Sequence, residues 1–174
     1  MALKRNFYKR YTLTVAQDLL GCFLVRKIGG KIIKGIITET EAYIGEDDLA
    51  CHASRGRTPR TEIMYGEAGH AYVYMIYGMY HCLNIVTEKK NFPAAVLIRG
   101  IKIIKSGKEL NGPGKLCKFL KIDRKLNGWD LMKREKLWVE RGVKIKKSDI
   151  KSDKRVGIDY AKHCKHYLWR FYFK

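Results

Sequence analysis

Short apolar segments recur along the chain, and several alternate with polar residues at a period of two, which predicts β-strands. The predicted strands are residues 22–28, 31–44, 71–76, 79–86, 94–101 and 168–173, with short strands or loops at 137–142 and 154–161. Glycine-containing turns separate the first two strands and the next two, which favours two β-hairpins.

Two short segments have the signals of helix ends. In residues 14–21, Thr14 is a candidate N-cap and Gly21 suits the left-handed residue after the helix. In residues 111–122, Pro113 lies near the first turn, where proline is favoured. Because strands dominate, we predict one α+β domain over residues 1–174, with a curved, mostly antiparallel sheet flanked by helices.

The long segment 45–70 shows neither the period of two of a strand nor the period of 3.6 residues of a helix. It reads as a loop with one helical turn at most. A connection of this length in a compact domain is often functional.

The charge of the chain limits its partners. There are 36 Lys and Arg residues against 17 Asp and Glu, which gives a formal net charge of +19. Self-repulsion of this size opposes a compact state, and a polyanion would relieve it. Nucleic acid is the first candidate and an anionic membrane surface the second. General solubility is the simpler alternative.

The cysteines and the N-terminus indicate the compartment. The five cysteines have no C-x-x-C pair, so we expect free thiols in a reducing environment. The basic N-terminus lacks the apolar region of a signal peptide, and no apolar run approaches the ~20 residues that span a bilayer. We therefore expect an intracellular protein, cytoplasmic or nucleoid-associated, that does not enter a membrane. The sequence leaves the oligomeric state open, and a monomer is the simplest expectation.

The second predicted strand has candidate chemistry on one face, which Ile33, Ile37, Glu39, Glu41 and Tyr43 share by alternation. A carboxylate among apolar neighbours is partly desolvated, which raises its pKa and suits a general base. The simpler alternative is an exposed carboxylate at a strand end with Tyr43 in the core. Spacing alone does not decide between them.

The order of several motifs resembles the alkyladenine (3-methyladenine) DNA glycosylase family over nearly the whole chain. The motifs are TETEAYIGEDDLACH (38–52), RGRTPR (55–60), GHAYVYMIYGMYHCLNIV (69–86), AVLIRG (95–100), NGPGKL (111–116) and RVGIDYA (155–161). The resemblance implies a fold similar to the C-terminal domain of methionyl-tRNA formyltransferase. It also implies an enzyme without a cofactor or lyase activity that removes damaged purines from duplex DNA after flipping them out of the stack.

The resemblance also assigns roles in the chemistry. Glu41 matches the catalytic carboxylate that activates water, Arg99 matches a second ligand of that water, and the backbone carbonyl of Val156 matches a third. The residues that match the base pocket are Tyr43 and His52 on one face of the base, Tyr74 on the other, and Asn84 against the 2-amino position of guanine.

The resemblance assigns contacts to DNA as well. Tyr77 at the tip of the second hairpin matches the wedge that fills the space left by the flipped base. The candidates for phosphate contacts are Arg55, Arg57, Arg60 and Lys115. A solvated basic surface is the alternative for these cations, and sheet core is the alternative for the tyrosines, which we expect for Tyr72.

Other interpretations remain open. Glu39, Glu41, Asp47, Asp48 and His52 would suit a metal-dependent nuclease, whose cleavage would need a divalent cation. The basic charge and exposed rings would also suit a nucleic-acid-binding module without catalysis. The Cys-His pairs at 51–52, 81–82 and 163–166 lack the spacing typical of a structural zinc site, so we expect no bound metal.

Overall fold

The computed structural model describes residues 1–173 and contains nine strands within this range. Their bounds are β1 Phe23–Ile28, β2 Lys31–Ile44, β3 Ala71–Ile76, β4 Tyr80–Val86, β5 Ala94–Ile103, β6 Glu109–Asn111, β7 Leu137–Glu140, β8 Lys151–Asp153 and β9 Arg170–Tyr172. The helices are α1 Arg5–Tyr8, α2 Thr12–Asp18 and α3 Pro113–Phe119, with single 3₁₀ turns in the connections.

The strands form one open sheet in which every described ladder is antiparallel. The main order is β3-β4-β5-β2-β1-β7, while β6 pairs with β5 and β9 pairs with both β2 and β8. The predicted α+β class with a mostly antiparallel sheet is confirmed. Both predicted hairpins form, and β1, β2 and β3 have nearly the predicted bounds.

The main core lies between one face of the sheet and helices α2 and α3. Val15 of α2, Leu116 of α3 and Ile98 of β5 are fully buried there. The Thr40 hydroxyl of β2 donates to the Ala16 carbonyl of α2 at 2.8 Å. Since neighbouring residues of a strand point to opposite faces, Glu41 points away from α2.

A β-bulge corrects the predicted face of β2. The register between β2 and β5 shifts on both sides of Glu39, which lies opposite Gly100. A bulge of this kind changes which alternate residues face each side of a sheet. Ile37 accordingly packs in the main core, whereas Glu39, Glu41 and Tyr43 lie on the other face. The prediction that Ile37 shares a face with Glu41 was therefore wrong.

Helix α2 begins two residues earlier than predicted, so Thr14 is not its N-cap. The Glu88 carboxylate accepts from both the backbone N–H and the hydroxyl of Thr12, at 2.8 Å each. A side chain distant in sequence thus satisfies the first turn. Gly21 does take the predicted left-handed conformation, with φ of +82°.

The other differences concern short elements. Segment 45–70 contains two 3₁₀ turns, His52–Arg55 and Glu62–Tyr65, rather than one helical turn. Residues 154–161 form no strand, and α3 is shorter than predicted, with Pro113 in its first turn.

Candidate active site

A cavity of about 540 Å³ opens on the face of the sheet that α2 does not cover. Nine of the twelve candidate site residues line it: Glu41, Tyr43, His52, Arg60, Tyr74, Tyr77, Asn84, Arg99 and Val156. Strands β2 to β5 contribute most of these side chains, and the loop after β2 and segment 154–161 supply the rest. The fold therefore collects residues that lie more than a hundred positions apart.

A larger cavity of about 750 Å³ lies elsewhere, beside Phe7, Leu20 and Arg141. Its one carboxylate, Asp18, is already paired with a guanidinium at 2.7 Å. Burial raises the pKa of the Cys22 thiol in its wall to about 11, so this thiol is unreactive at neutral pH. Size alone therefore does not identify the candidate site.

Glu41 is fully buried at the bottom of the smaller cavity. The Tyr43 hydroxyl donates to Oε2 at 2.7 Å, and the Val156 backbone N–H donates to Oε1 at 2.8 Å. Arg99 Nε lies 3.5 Å from Oε1. Burial raises the pKa of Glu41, and the Arg99 charge and the two hydrogen bonds oppose that rise. The carboxylate is thus held in one orientation, with a proton affinity above that of an exposed glutamate.

Arg99 also contacts Glu39, the nearest competitor for the catalytic position. Its Nε lies 3.2 Å from Glu39 Oε1, and Arg170 NH1 lies 3.1 Å from the same oxygen. Two guanidiniums therefore compensate Glu39. Glu41 is the carboxylate that lines the cavity.

Aromatic rings form the wall of the cavity. Tyr72 is buried, as predicted, and its hydroxyl lies 2.9 Å from His52 Nδ1. Burial and the nearby Arg60 and Arg55 lower the pKa of His52 to about 4, so the imidazole is neutral at physiological pH.

The predicted arrangement of rings around a base is not open in this conformation. The His52 and Tyr74 centroids are 4.5 Å apart, with the rings edge to face. Stacked bases lie about 3.4 Å apart in DNA, so two rings with a base between them are separated by about twice that distance. A base between His52 and Tyr74 therefore requires that these two rings separate.

Asn84 projects from β4 into the cavity and is 4% exposed. Its side-chain amide donates to the Tyr72 carbonyl on the paired strand at 3.3 Å. This bond fixes a polar group on the floor of the cavity.

The β3–β4 turn presents apolar side chains to solvent beside the cavity. Tyr77 is 86% exposed, and Met79 and Tyr80 are also exposed. Tyr77 and Gly78 both have left-handed backbone, with φ of +52° and +68°. The Tyr80 ring packs on Gly114 of α3, where a Cβ atom would lie only 3.0 Å from it. The turn is thus supported from behind while Tyr77 projects freely.

The four candidate phosphate cations differ in their surroundings. All four are exposed, and Arg60 lies over the Tyr74 ring at the cavity. Arg57 instead forms two hydrogen bonds with Glu62, at 2.6 and 2.7 Å. Its charge is therefore compensated, which makes it a weaker phosphate candidate than Arg55, Arg60 or Lys115.

No role was predicted for Arg155, which lies behind the cavity, or for Tyr160, which lies in its wall. Arg155 is buried and paired with Asp48, and Tyr160 lines the cavity. The RVGIDYA motif contains both Arg155 and Tyr160, but only Val156 was given a role. A pairing across 107 positions leaves no signal in a single sequence.

Residues 1–173 contain no group of three His, Cys, Asp or Glu side chains able to hold a metal ion. Asp48, one of the proposed nuclease ligands, is paired with Arg155 instead. All five cysteines are free, as expected, and all five are buried. No helix within the described range has the length and hydropathy of a membrane span.

Comparison with known proteins agrees with the motifs. The family model described as methylpurine-DNA glycosylase matches residues 6–174. Relatives named "Putative 3-methyladenine DNA glycosylase" occur in Methanocella arvoryzae, with 50% identity over 99% of this chain and 92% of the relative, and in Clostridium perfringens strain SM101, with 47% identity over 100% and 96%. A relative of the same name in Sodalis glossinidius is 51% identical over 97% of this chain and 95% of its own length. The chain belongs to the methylpurine-DNA glycosylase family, a family of DNA repair enzymes.

Proposed function

We propose that this enzyme hydrolyses the N-glycosidic bond of alkylated or deaminated purines in duplex DNA, with a water molecule activated by Glu41. The observation that carries the proposal is the setting of this carboxylate. It is fully buried, each of its oxygens has a fixed donor, and it lines a cavity with aromatic walls next to an exposed tyrosine. Substrates of the 3-methyladenine, hypoxanthine and ethenoadenine type fit this setting.

The chemistry uses Glu41 in two ways. As the purine leaves, the sugar develops the positive charge of an oxocarbenium ion, which a nearby carboxylate stabilises. The same carboxylate accepts a proton from the attacking water. A raised pKa brings the base nearer to the pH at which it works, and Arg99 limits that rise so that the ionised form persists. Arg99 and the Val156 carbonyl are the proposed further ligands of the water.

The proposed base pocket consists of Tyr43, His52, Tyr74 and Asn84. The rings stack on the flipped base at ~1–3 kcal/mol per base, which tolerates many lesion shapes. Asn84, fixed by its bond to Tyr72, crowds a 2-amino group and disfavours guanine. Since His52 and Tyr74 touch, we infer that their rings separate as the base enters.

The proposed DNA-binding surface surrounds the mouth of the cavity. Tyr77 fills the space in the stack, and its exposure at a supported turn suits a wedge. Arg55, Arg60 and Lys115 contact phosphates. The enzyme acts as a monomer without cofactors, and its free thiols suit the reducing interior of the cell.

The test is single-turnover release of hypoxanthine or 1,N6-ethenoadenine from a duplex in the presence of EDTA. Wild type should release the base, whereas Glu41→Gln should bind the lesion duplex without releasing it. Glu39→Gln is the matched control, since it removes a neighbouring carboxylate that does not line the cavity, and it should retain most of the activity.

Three results would contradict the proposal. Equal release by Glu41→Gln would remove the role of this carboxylate. Strand cleavage that EDTA abolishes would indicate a nuclease. Binding of single-stranded RNA in preference to the lesion duplex, with no release from any lesion, would indicate a binding module.

A further inference from the structure

Arg155 and Asp48 form a buried ion pair behind the proposed active site. Arg155 NH1 donates to Asp48 Oδ2 at 2.6 Å, and NH2 donates to Oδ1 at 2.8 Å. The two side chains are 0% and 1% exposed. NH1 also donates to the Ala42 carbonyl at 2.9 Å. Bidentate pairs fix geometry better than single bonds do. This pair therefore joins the end of β2 and the loop after it to a segment 107 positions further along the chain.

Both of these parts of the chain carry a hydrogen-bond donor to Glu41. Ala42 lies on β2 between Glu41 and Tyr43, whose hydroxyl donates to the carboxylate. Arg155 directly precedes Val156, whose N–H donates to it. The guanidinium also lies 4.8 Å from the centre of the Tyr43 ring. One side chain therefore touches the supports of both donors.

We propose that the Arg155–Asp48 pair positions the two hydrogen-bond donors of Glu41 and holds the Arg155 guanidinium as a fixed positive charge behind this carboxylate. The proposal rests on the proposed function of Glu41 as the base, because the pair acts on the reaction only through that carboxylate. Arg155 and Asp48 are thus positioning residues. Neither lines the cavity.

Other anchors hold the neighbouring backbone, so the effect of the pair is local. Arg170 Nε donates to the Lys154 carbonyl at 2.7 Å, and Arg170 NH2 donates to Asp153 at 2.9 Å. These bonds keep residues 153–154 against β9 whether or not Arg155 is paired. What the pair adds is the placement of the next residue, Val156, against Glu41.

The pair also predicts the sign of an electrostatic effect. The groups that face Glu41 are Arg99 from β5, Tyr43 from β2, Tyr74 from β3, Cys82 from β4 and Arg155 from its own segment. Among these, the positive charges of Arg99 and Arg155 lower the pKa of Glu41. Removing Arg155 should therefore raise that pKa, whereas removing the compensating Asp48 should lower it.

The experiment measures the single-turnover rate of base release against pH for three variants of the full chain. The rate falls at low pH when Glu41 takes up a proton. For Arg155→Gln, the midpoint of this fall should move up by roughly 1 pH unit, and for Asp48→Asn it should move down. For Arg155→Lys, which keeps the charge but loses the bidentate geometry, the midpoint should stay near that of wild type while the plateau rate falls.

A purely structural role gives a different pattern. It lowers the folded fraction of all three variants, and therefore their plateau rates. It does not move the midpoints of Arg155→Gln and Asp48→Asn in opposite directions. Asp130→Asn is the matched control. Asp130 lies away from the cavity and pairs with Arg5 at a distance of 2.7 Å, so the midpoint of this variant should not move. Circular dichroism at the assay temperature gives the folded fraction of each variant.

The outcomes separate this inference from the proposed function. If wild type releases no base, the proposed function fails. If wild type is active but Arg155→Lys keeps the wild-type plateau rate, the positioning role is overturned. If the midpoints of Asp48→Asn and Arg155→Gln do not move apart, the electrostatic role is overturned. If Arg155→Gln does not fold, Asp48→Asn and Arg155→Lys decide, and an unshifted midpoint for Asp48→Asn overturns the inference.

Discussion

Replacement of Tyr77 by asparagine should weaken the binding of damaged DNA without lowering the stability of the fold. Tyr77 is 86% exposed, so its ring contributes little to packing. Its φ of +52° lies in the left-handed region, which costs most residues with a side chain about 1–2 kcal/mol and asparagine less. Asn-Gly is also the preferred pair for a hairpin turn with two left-handed residues. We therefore expect the free energy of unfolding to stay the same or rise by up to about 1 kcal/mol.

The same change should weaken the complex with damaged DNA. A ring that stacks in the space left by a flipped base contributes ~1–3 kcal/mol, and asparagine has no ring to stack. At 1.4 kcal/mol for each factor of ten, lesion binding should weaken by about 5- to 150-fold. The base should also return to the stack more often, which slows excision.

Two measurements on one variant test this reasoning. The fluorescence of 1,N6-ethenoadenine in a duplex reports flipping and affinity, and thermal unfolding reports stability. Tyr11→Asn is the control, because Tyr11 is another exposed tyrosine, at the N-cap of α2, where asparagine is favoured. Normal flipping by Tyr77→Asn would refute the wedge, and a large loss of stability would show that Tyr77 serves the fold instead.

Three further predictions follow from the site. Glu41→Gln should unfold at a higher temperature than wild type at neutral pH. Because the pKa of Glu41 is raised in the folded state, its ionisation destabilises the fold as pH rises. In paired melts, the difference in unfolding temperature should therefore vanish below pH 4.5, the ordinary pKa of a glutamate. A lower unfolding temperature for Glu41→Gln at neutral pH would contradict this. Tyr43→Phe removes a charge-assisted bond of about 1.5–3 kcal/mol, so the acid midpoint of base release should rise by about 1–2 pH units, while Tyr72→Phe should leave it unchanged. In salt titrations of duplex binding, Arg60→Gln should reduce the slope of log K against log salt concentration by about 1. Arg57→Gln should not change this slope, because Arg57 is already paired with a carboxylate.

Local signals in the sequence predicted the strands well. Gly29-Gly30 fixed the first hairpin, and β2 has the predicted bounds, because alternation and turn chemistry are properties of neighbouring residues. The β2–β5 bulge could not be predicted in this way. It depends on the close approach of Gly100 to Thr38, where a Cβ atom would lie 2.8 Å from the hydroxyl oxygen.

The site was predicted from motifs, and the contacts that support it were not. Glu41, Arg99 and Asn84 come together as the family resemblance implies. The donors to the carboxylate, by contrast, include a backbone N–H from a segment 115 positions away. Such contacts form only when distant segments come together in the folded chain, and a single sequence contains no pattern that predicts them.

Two positions at this cavity hold residues that the fold alone does not favour. Glu41 is a carboxylate that burial makes harder to ionise, and Tyr77 is an exposed ring on left-handed backbone. Glutamine at the first position, which is neutral and still accepts hydrogen bonds, and asparagine or glycine at the second would satisfy the fold better. Local rules of this kind are broken mainly at functional sites. Of the six non-glycine residues with left-handed backbone within residues 1–173, Tyr77 alone is aromatic, and it lines the same cavity as Glu41. This shared location is an argument for the function of the cavity that does not depend on the resemblance to any relative.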